Sequence, residues 1–337
     1  MREISKLNSL KLKGIGVIGC GLIGQKRIEA IGDLCKVVGC YDIIKERSIS
    51  FAKKNNIHSY SSLDDFLADK KINIVIVATL HESLASLTLS CLKANKHVLV
   101  EKPAARNYRE LEEVIEFKKK KNLKVHVGFN HRFHRALIKA QEIIKSEKLG
   151  ELMFIRGRYG HGGRIGYEKE WRSNKELSGG GELIDQGPHL IDLASIFFGK
   201  FTDISGFADT FYWNMNVDDN AFLTLRNKKG QTAFLHVSCT EWKNLFSFEI
   251  YGRKGKIEIN GLGGSYGLEK ITFYEMLPEM GPPNTYSWEF PFQDNSWHLE
   301  LRDFLNSIEK NSETSSSLEN AYEVLKVISS IYEGKKL

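Results

Sequence analysis

The sequence predicts a two-part protein, an α/β domain with a doubly wound parallel sheet over residues 1–129 and an α+β domain with a large, mainly antiparallel open sheet over residues 130–337. Three observations predict it. Strand-like and helical runs alternate from Lys13 to Gly128, and repeated strand-helix order means a parallel sheet. A glycine-rich turn, Gly19 to Gly24, joins the first strand to the first helix. From Phe201 to Ile259 the pattern changes to short strand-like runs joined by Gly, Asn and Lys turns, which is the pattern of hairpins. A chain of 337 residues also exceeds what one compact core usually supports.

Composition narrows the function class. Hydrophobic content of 42% and charged content of 27% are those of an ordered globular chain. The net charge of +6 is mild, and its densest run, Lys118–Lys121, follows Leu111, Val114, Ile115 and Phe117 at helical spacing. That run decorates a helix end, so nucleic-acid binding is not needed to explain it. Five cysteines form no C-x-x-C pair and are odd in number, which fits a reducing, cytoplasmic setting. Met1–Lys13 lacks the apolar core of a signal peptide, and the apolar run Ile74–Ala78 is too short to span a bilayer.

The first elements in order are a strand ending at Ile18, a tight turn, and a helix through Ile31. Gly19, Gly21 and Gly24 match G-x-G-x-x-G, with Leu22 and Ile23 opening the helix. The first glycine permits the turn, the second lets a pyrophosphate approach the backbone, and the third lets helix pack closely on strand. Free amides at the helix N-terminus favour a diphosphate there. A second strand, Lys36–Cys40, leads to Asp42, the position of the acid that accepts hydrogen bonds from an adenosine ribose. A carboxylate there repels a 2′-phosphate, so Asp42 argues for NAD over NADP, although Lys45 and Arg47 are nearby cations.

A short helix at Leu63–Leu67, a strand at Ile72–Ala78 and a helix at Ser83–Ala94 follow. Thr79 and His81 come just after the strand, on the side where ligands bind, with a nicotinamide contact and a loop or cap role both open. The run Val98-Leu99-Val100 then stops at Glu101-Lys102-Pro103. It reads as a strand buried on both faces whose carboxyl end delivers Lys102 to the crevice, or to a surface turn. A helix at Tyr108–Lys120 and a strand at Lys124–Gly128 close the first domain.

The chain crosses at Asn130–His134, where Asn130 and Arg132 either touch substrate or brace the crossing. His131 and His134 have no accompanying carboxylate or cysteine set, so no metal site is expected. An amphipathic helix at Ala136–Lys145 precedes a strand at Leu152–Tyr159 and a glycine-rich loop bearing Arg164, Trp171 and Arg172. Arginine offers a fork for anions and an aromatic ring can stack on a sugar, but a solvated connection has the same composition. Ser178–Asp192, running on through Phe198 to a stop at Gly199, reads as a helix with a glycine-rich entry, with Pro188 in an early turn or at a bend, on which Asp185 and His189, four apart, share a face. A capping Asp with a satisfied core His is the alternative. Gly261–Pro291 reads as an excursion or lid, and two helices, Trp297–Ile308 and Ser316–Tyr332, end the chain and are expected to pack back on the body, with the N-terminal domain as one place for them.

Four ordered motifs, Gly19–Gly24, Glu101-Lys102-Pro103, Gly128–Phe133 and Asp185-x-x-x-His189-x-x-Asp192, resemble those of the Gfo/Idh/MocA oxidoreductases, the group of glucose-fructose oxidoreductase and inositol dehydrogenase. The resemblance covers nearly the whole chain. It implies an N-terminal Rossmann domain, a C-terminal open-sheet domain for substrate and oligomerisation, and pyridine-nucleotide redox chemistry on sugars, inositols or nucleotide sugars. It implies a cofactor site of Gly19, Gly21, Leu22, Ile23, Gly24, Asp42, Thr79, His81, Glu101 and Lys102, and catalytic Lys102, Asp185 and His189. Asn130, Arg132, Arg164, Trp171 and Arg172 are implied with Asp185 and His189 as substrate contacts, the arginines favouring an anionic ligand. A cis Lys102-Pro103 bond and a homodimer or homotetramer are also implied. In the expected reaction a carbinol carbon loses hydride while Lys102 or His189 handles the hydroxyl proton, with Asp185 or Asp192 orienting the imidazole. The rival readings are an NAD-dependent glycosidase on the same fold and a non-catalytic nucleotide-binding regulator.

Overall fold

The computed structural model describes residues 14–334, in two compact units. The reading of Met1–Lys13 lies outside the described residues. One unit comprises the chain up to Phe129 together with Trp297–Tyr322; the other comprises Asn130–Ser296 and the chain from Glu323.

The first unit runs β1 (Gly14–Ile18), α1 (Leu22–Ile31), β2 (Lys36–Tyr41), α2 (Lys45–Asn55), β3 (His58–Ser59), α3 (Leu63–Ala68), β4 (Ile72–Val77), α4 (His81–Lys93), β5 (His97–Glu101), α5 (Arg109–Lys119) and β6 (Val125–Gly128). Its six strands pair in parallel in the order β3-β2-β1-β4-β5-β6. The order reverses between β1 and β4, which opens a crevice at the carboxyl ends of the strands. The two-residue β3 at the sheet edge is too short to leave a sequence pattern.

The second unit begins with a 3-10 turn at Asn130–Phe133, then α6 (Arg135–Lys145) and β7 (Leu152–Gly160). Two more 3-10 turns, at Tyr167–Lys169 and Trp171–Ser173, precede α7 (Lys175–Ser178), α8 (Glu182–Asp185) and α9 (Gly187–Phe198). Seven strands follow, β8 (Phe201–Asp209), β9 (Asn220–Asn227), β10 (Thr232–Ser238), β11 (Leu245–Gly252), β12 (Gly255–Asn260), β13 (Glu269–Glu275) and β14 (Asn284–Phe290). The sheet order is β14-β13-β12-β11-β7-β10-β9-β8, antiparallel throughout except where β10 runs parallel to β7. Alternation along β9, β10 and β11 buries Leu223, Leu225, Leu235, Val237, Phe248 and Ile250 on one face. Helix α9 packs there against Gly157 of β7, where a Cβ would lie 3.4 Å from Leu190 and 3.0 Å from Leu235.

Two expectations are corrected. The Gly261–Pro291 segment holds β13 and β14, which extend the sheet by a hairpin instead of forming an excursion. Its Gly and Pro residues fall in the turns, while Ile271 and Phe273 face the core. The helix expected from Ser178 is divided at Gln186, so that Asp185 closes α8 while Pro188 lies in the first turn of α9, one of its two expected placements, together with His189.

The chain ends with α10 (Ser296–Lys310) and α11 (Leu318–Tyr332). Leu301, Phe304 and Leu305 of α10 join Ile15, Val17, Ile74, Ile76 and Leu99 in the first unit's core. Between the helices, Ser316 bonds both main-chain groups of Val127, its carbonyl accepting from the Val127 N–H at 2.9 Å and its hydroxyl donating to the Val127 carbonyl at 2.7 Å. No helix among the described residues is long and apolar enough to cross a membrane. Phe304 is fully buried. Phe304→Ala is therefore expected to lower the first unit's unfolding free energy by about 3–5 kcal/mol, read by chemical denaturation.

Candidate functional site

In the first unit the predicted cofactor residues collect at the carboxyl ends of β1, β2, β4 and β5. Gly19 has φ +96, and a Cβ on it would lie 2.4 Å from the Ala78 carbonyl oxygen and 3.0 Å from Thr79. A Cβ on Gly24 would lie 2.1 Å from the Gly19 carbonyl oxygen, so only glycine lets α1 start this close to the strand. A Cβ on Gly21 meets nothing within 4 Å. Its bare backbone borders open space at the N-terminus of α1, beside the exposed Leu22, while Ile23 packs against the core.

Asp42 is buried, and its two carboxylate oxygens accept from the Cys20 N–H at 2.8 Å and the Ile44 N–H at 2.9 Å. Each oxygen keeps a lone pair for a ribose hydroxyl. Arg47 lies 3.7 Å from the same carboxylate with its side chain half exposed. Thr79 accepts a 2.8 Å hydrogen bond from Ser83, and His81 is the buried first residue of α4. An open glycine backbone, a helix N-terminus and a fixed acid one strand away fit a dinucleotide.

Lys102 follows the last residue of β5, and the Lys102-Pro103 peptide is cis. Glu101 ends β5. Its carboxylate turns into the core and accepts from the Arg27 Nε at 2.5 Å. Burial pushes its carboxyl upward, with Arg27 pulling the other way.

In the second unit the polar residues form pairs. The Arg132 fork pairs with Asp192, Nε donating to Oδ2 at 2.7 Å and Nη2 donating to Oδ1. Arg172 Nε donates to Asp185 Oδ2 at 2.9 Å; the Asp185 charge holds the guanidinium pKa above its ordinary value. The Arg172 guanidinium also stands 4.7 Å from the Trp171 ring centroid. Arg164 is mostly exposed and pairs with Glu170 at 2.7 Å. Asn130 donates to Ser296 at 3.0 Å, within the same unit.

Sequence reasoning missed two supports. His131 stacks on His189 with ring centroids 3.7 Å apart and planes at 23°, and Tyr159 packs edge-on against His131. Asp218 accepts from the Gly181 N–H at 2.9 Å, the Leu183 N–H at 2.7 Å and the Tyr332 hydroxyl at 2.7 Å, capping the start of α8. The glycine run was the visible sign, since a Cβ on Gly180 would lie 2.2 Å from the Tyr332 oxygen. Its partners are too far along the chain to be read from local pattern. Among the described residues no group of three or more His, Cys, Asp or Glu is placed to hold a metal ion.

The family model for the oxidoreductase family with an NAD-binding Rossmann fold matches residues 13–129, and that for the GFO/IDH/MocA C-terminal domain matches residues 137–258. Levoglucosan dehydrogenase of Pseudarthrobacter phenanthrenivorans is 23% identical over 87% of this chain and 84% of its own. Inositol 2-dehydrogenase of Salmonella typhimurium is 29% identical over 43% of this chain and 45% of its own. A solved levoglucosan dehydrogenase in complex with NADH and levoglucosan shares the fold, with a TM-score of 0.87 over 95% of this chain and 96% of that one at 22% identity.

Asp192→Ala takes the buried carboxylate from the partly buried Arg132 guanidinium, and removing one partner of such a pair costs up to about 3–5 kcal/mol. The expected result is a lower Tm by calorimetry. An unchanged Tm would show that Arg132 does not brace the crossing segment.

Proposed function

The chain belongs to the Gfo/Idh/MocA oxidoreductase family, and from that premise we propose that it is an NAD-dependent dehydrogenase acting on a carbinol carbon of a sugar, an inositol or a nucleotide sugar. In this reading residues 1–129 bind the cofactor, while residues 130–337 bind substrate and mediate self-association. The observation that carries it is the sheet end at which Gly21, Asp42 and Lys102 stand, beyond the parallel strands β1, β2 and β5. Substrate class follows from the sugar and inositol named for the relatives. Asn130, Arg164, Trp171 and Arg172 are its proposed contacts, with the arginines suited to an anionic or hydroxyl-rich ligand.

Bound nicotinamide supplies the hydride acceptor or donor. The protein's own groups hold the substrate and manage charge. The Lys102 ammonium donates a hydrogen bond to the reacting oxygen and stabilises the alkoxide charge that develops there. His189 takes the hydroxyl proton, a task to which imidazole is suited near neutral pH. Asp185, held by Arg172, fixes the end of α8 immediately before the α9 turn that carries His189. Asp42 holds the adenosine ribose and disfavours a 2′-phosphate, which selects NAD.

The outward face of the second unit's sheet bears Phe154, Phe207 and Phe234, at 37%, 53% and 56% exposure, with Phe207 against Phe222 and Phe154 stacked on Tyr251. So large an aromatic surface suits a second copy of the chain, giving a homodimer or homotetramer. A purely 38.4 kDa species in light scattering would overturn that assembly. The five cysteines, all buried and without a C-x-x-C pair, suit a reducing cytoplasm.

Lys102→Ala is expected to reduce turnover of levoglucosan or myo-inositol by about 100-fold or more, with NAD affinity by fluorescence nearly unchanged; full activity would remove Lys102 from the reaction. Asp42→Ala should weaken NAD by roughly tenfold, the loss of about 1.4 kcal/mol, and narrow the gap to NADP. Equal effects on both nucleotides would show that Asp42 does not read the ribose.

A further inference from the structure

Arg27 lies in α1 one turn beyond Gly24 and is 2% exposed. It has no place in the sequence motifs, yet it joins three elements. Its Nε donates to Glu101, the last residue of β5, at 2.5 Å, and its Nη1 donates to Glu300 of α10. The Trp297 ring of the same helix stands 4.3 Å from the guanidinium carbon, and His126 of β6 lies 3.5 Å from the other Glu300 oxygen. Space for the fork has been cleared on β6. Gly128 pairs with Glu101 in the parallel ladder, and a Cβ there would lie 2.6 Å from Arg27 Nη2 and 3.1 Å from Glu101 Oε2.

Stability is a poor reason for such a cluster. A buried arrangement of one cation and two carboxylates can often be replaced by apolar side chains at no loss, because desolvating the charges offsets their attraction. What a planar guanidinium does better than apolar packing is hold two acceptors in one fixed geometry. Here the held pieces are the helix whose N-terminus forms the glycine turn, the strand whose next residue is Lys102, and α10.

We infer that Arg27 is a positioning residue that locks the glycine turn and Lys102 into one rigid piece, so that seating the dinucleotide at the N-terminus of α1 also fixes the lysine. The inference rests on the roles proposed above for the glycine turn and Lys102. Misplacing a reacting group by about 1 Å can cost on the order of 100-fold in rate, so a remote clamp of this kind acts directly on turnover.

Hydrogen exchange on the intact protein, with NAD⁺ as the probe, tests it. In the wild type NAD⁺ should slow exchange both in Gly19–Ile31 and in Val98–Ala105. In Arg27→Met, and in Gly128→Ala, which displaces the fork without changing any charge, the first protection should persist and the second should be lost. Arg27→Lys, which keeps the charge but not the fork, should recover only part of it, and turnover should fall by about tenfold or more in the methionine variant. If that variant does not fold, Gly128→Ala decides. Protection of Val98–Ala105 that survives in the folded variants, or that is missing in the wild type while Gly19–Ile31 is protected, overturns the inference alone. No protection of Gly19–Ile31 in the wild type overturns the cofactor reading itself, and the inference with it.

Discussion

The contact on which the first unit depends is the approach of α1 to β1, where a side chain on Gly24 would strike the Gly19 carbonyl oxygen at 2.1 Å. Because nothing occupies that space, the helix begins immediately after the strand and its unpaired amides face the sheet's carboxyl end. The same closeness carries Arg27, one turn further along, into reach of Glu101. One missing methyl group thus determines both how closely the N-terminus of α1 approaches the sheet and how Arg27 reaches the strand that ends at Glu101, one residue before Lys102.

In the second unit the comparable constraint is capture of main-chain groups by an acid. Asp218 takes the amides of Gly181 and Leu183 together with the Tyr332 hydroxyl, which fixes the start of α8 despite the flexibility of three successive glycines. From that fixed start, Asp185 meets Arg172, and α9 begins at Gly187 with Pro188 and His189 in its first turn. The His131 ring lies flat on His189, so the imidazole is held by packing as well as by its own helix. These residues form a supported constellation, the kind of rigidity that positioned proton transfer requires.

Much of the fold was legible because its signals are local. The glycine spacing, the apolar runs at Ile72–Ala78 and Val98–Val100, and the alternation of β9 to β12 each state their element within a few residues. The errors came where one local signal had two meanings. Glycine, proline and aromatics from Gly261 to Pro291 suggested an excursion, yet the glycines and prolines fall in the turns around the β13–β14 hairpin and Phe273, Tyr286 and Trp288 lie in its strands. A spacing of four between Asp185 and His189 implied a shared helical face, yet a proline between them started a second helix.

By itself the sequence determined the strand-helix order, the parallel first sheet, the glycine turn with Asp42, and the appearance of a lysine after a buried strand, since each is set by backbone geometry and short-range periodicity. Only the tertiary structure decided how charges are paired. Arg27 with Glu101 and Glu300, Arg132 with Asp192, Arg172 with Asp185, and Asp218 with Tyr332 join residues between 13 and 273 positions apart. A charged side chain carries no local mark of its partner, because ion pairing depends on distance in space and on burial, and both arise only when the elements pack.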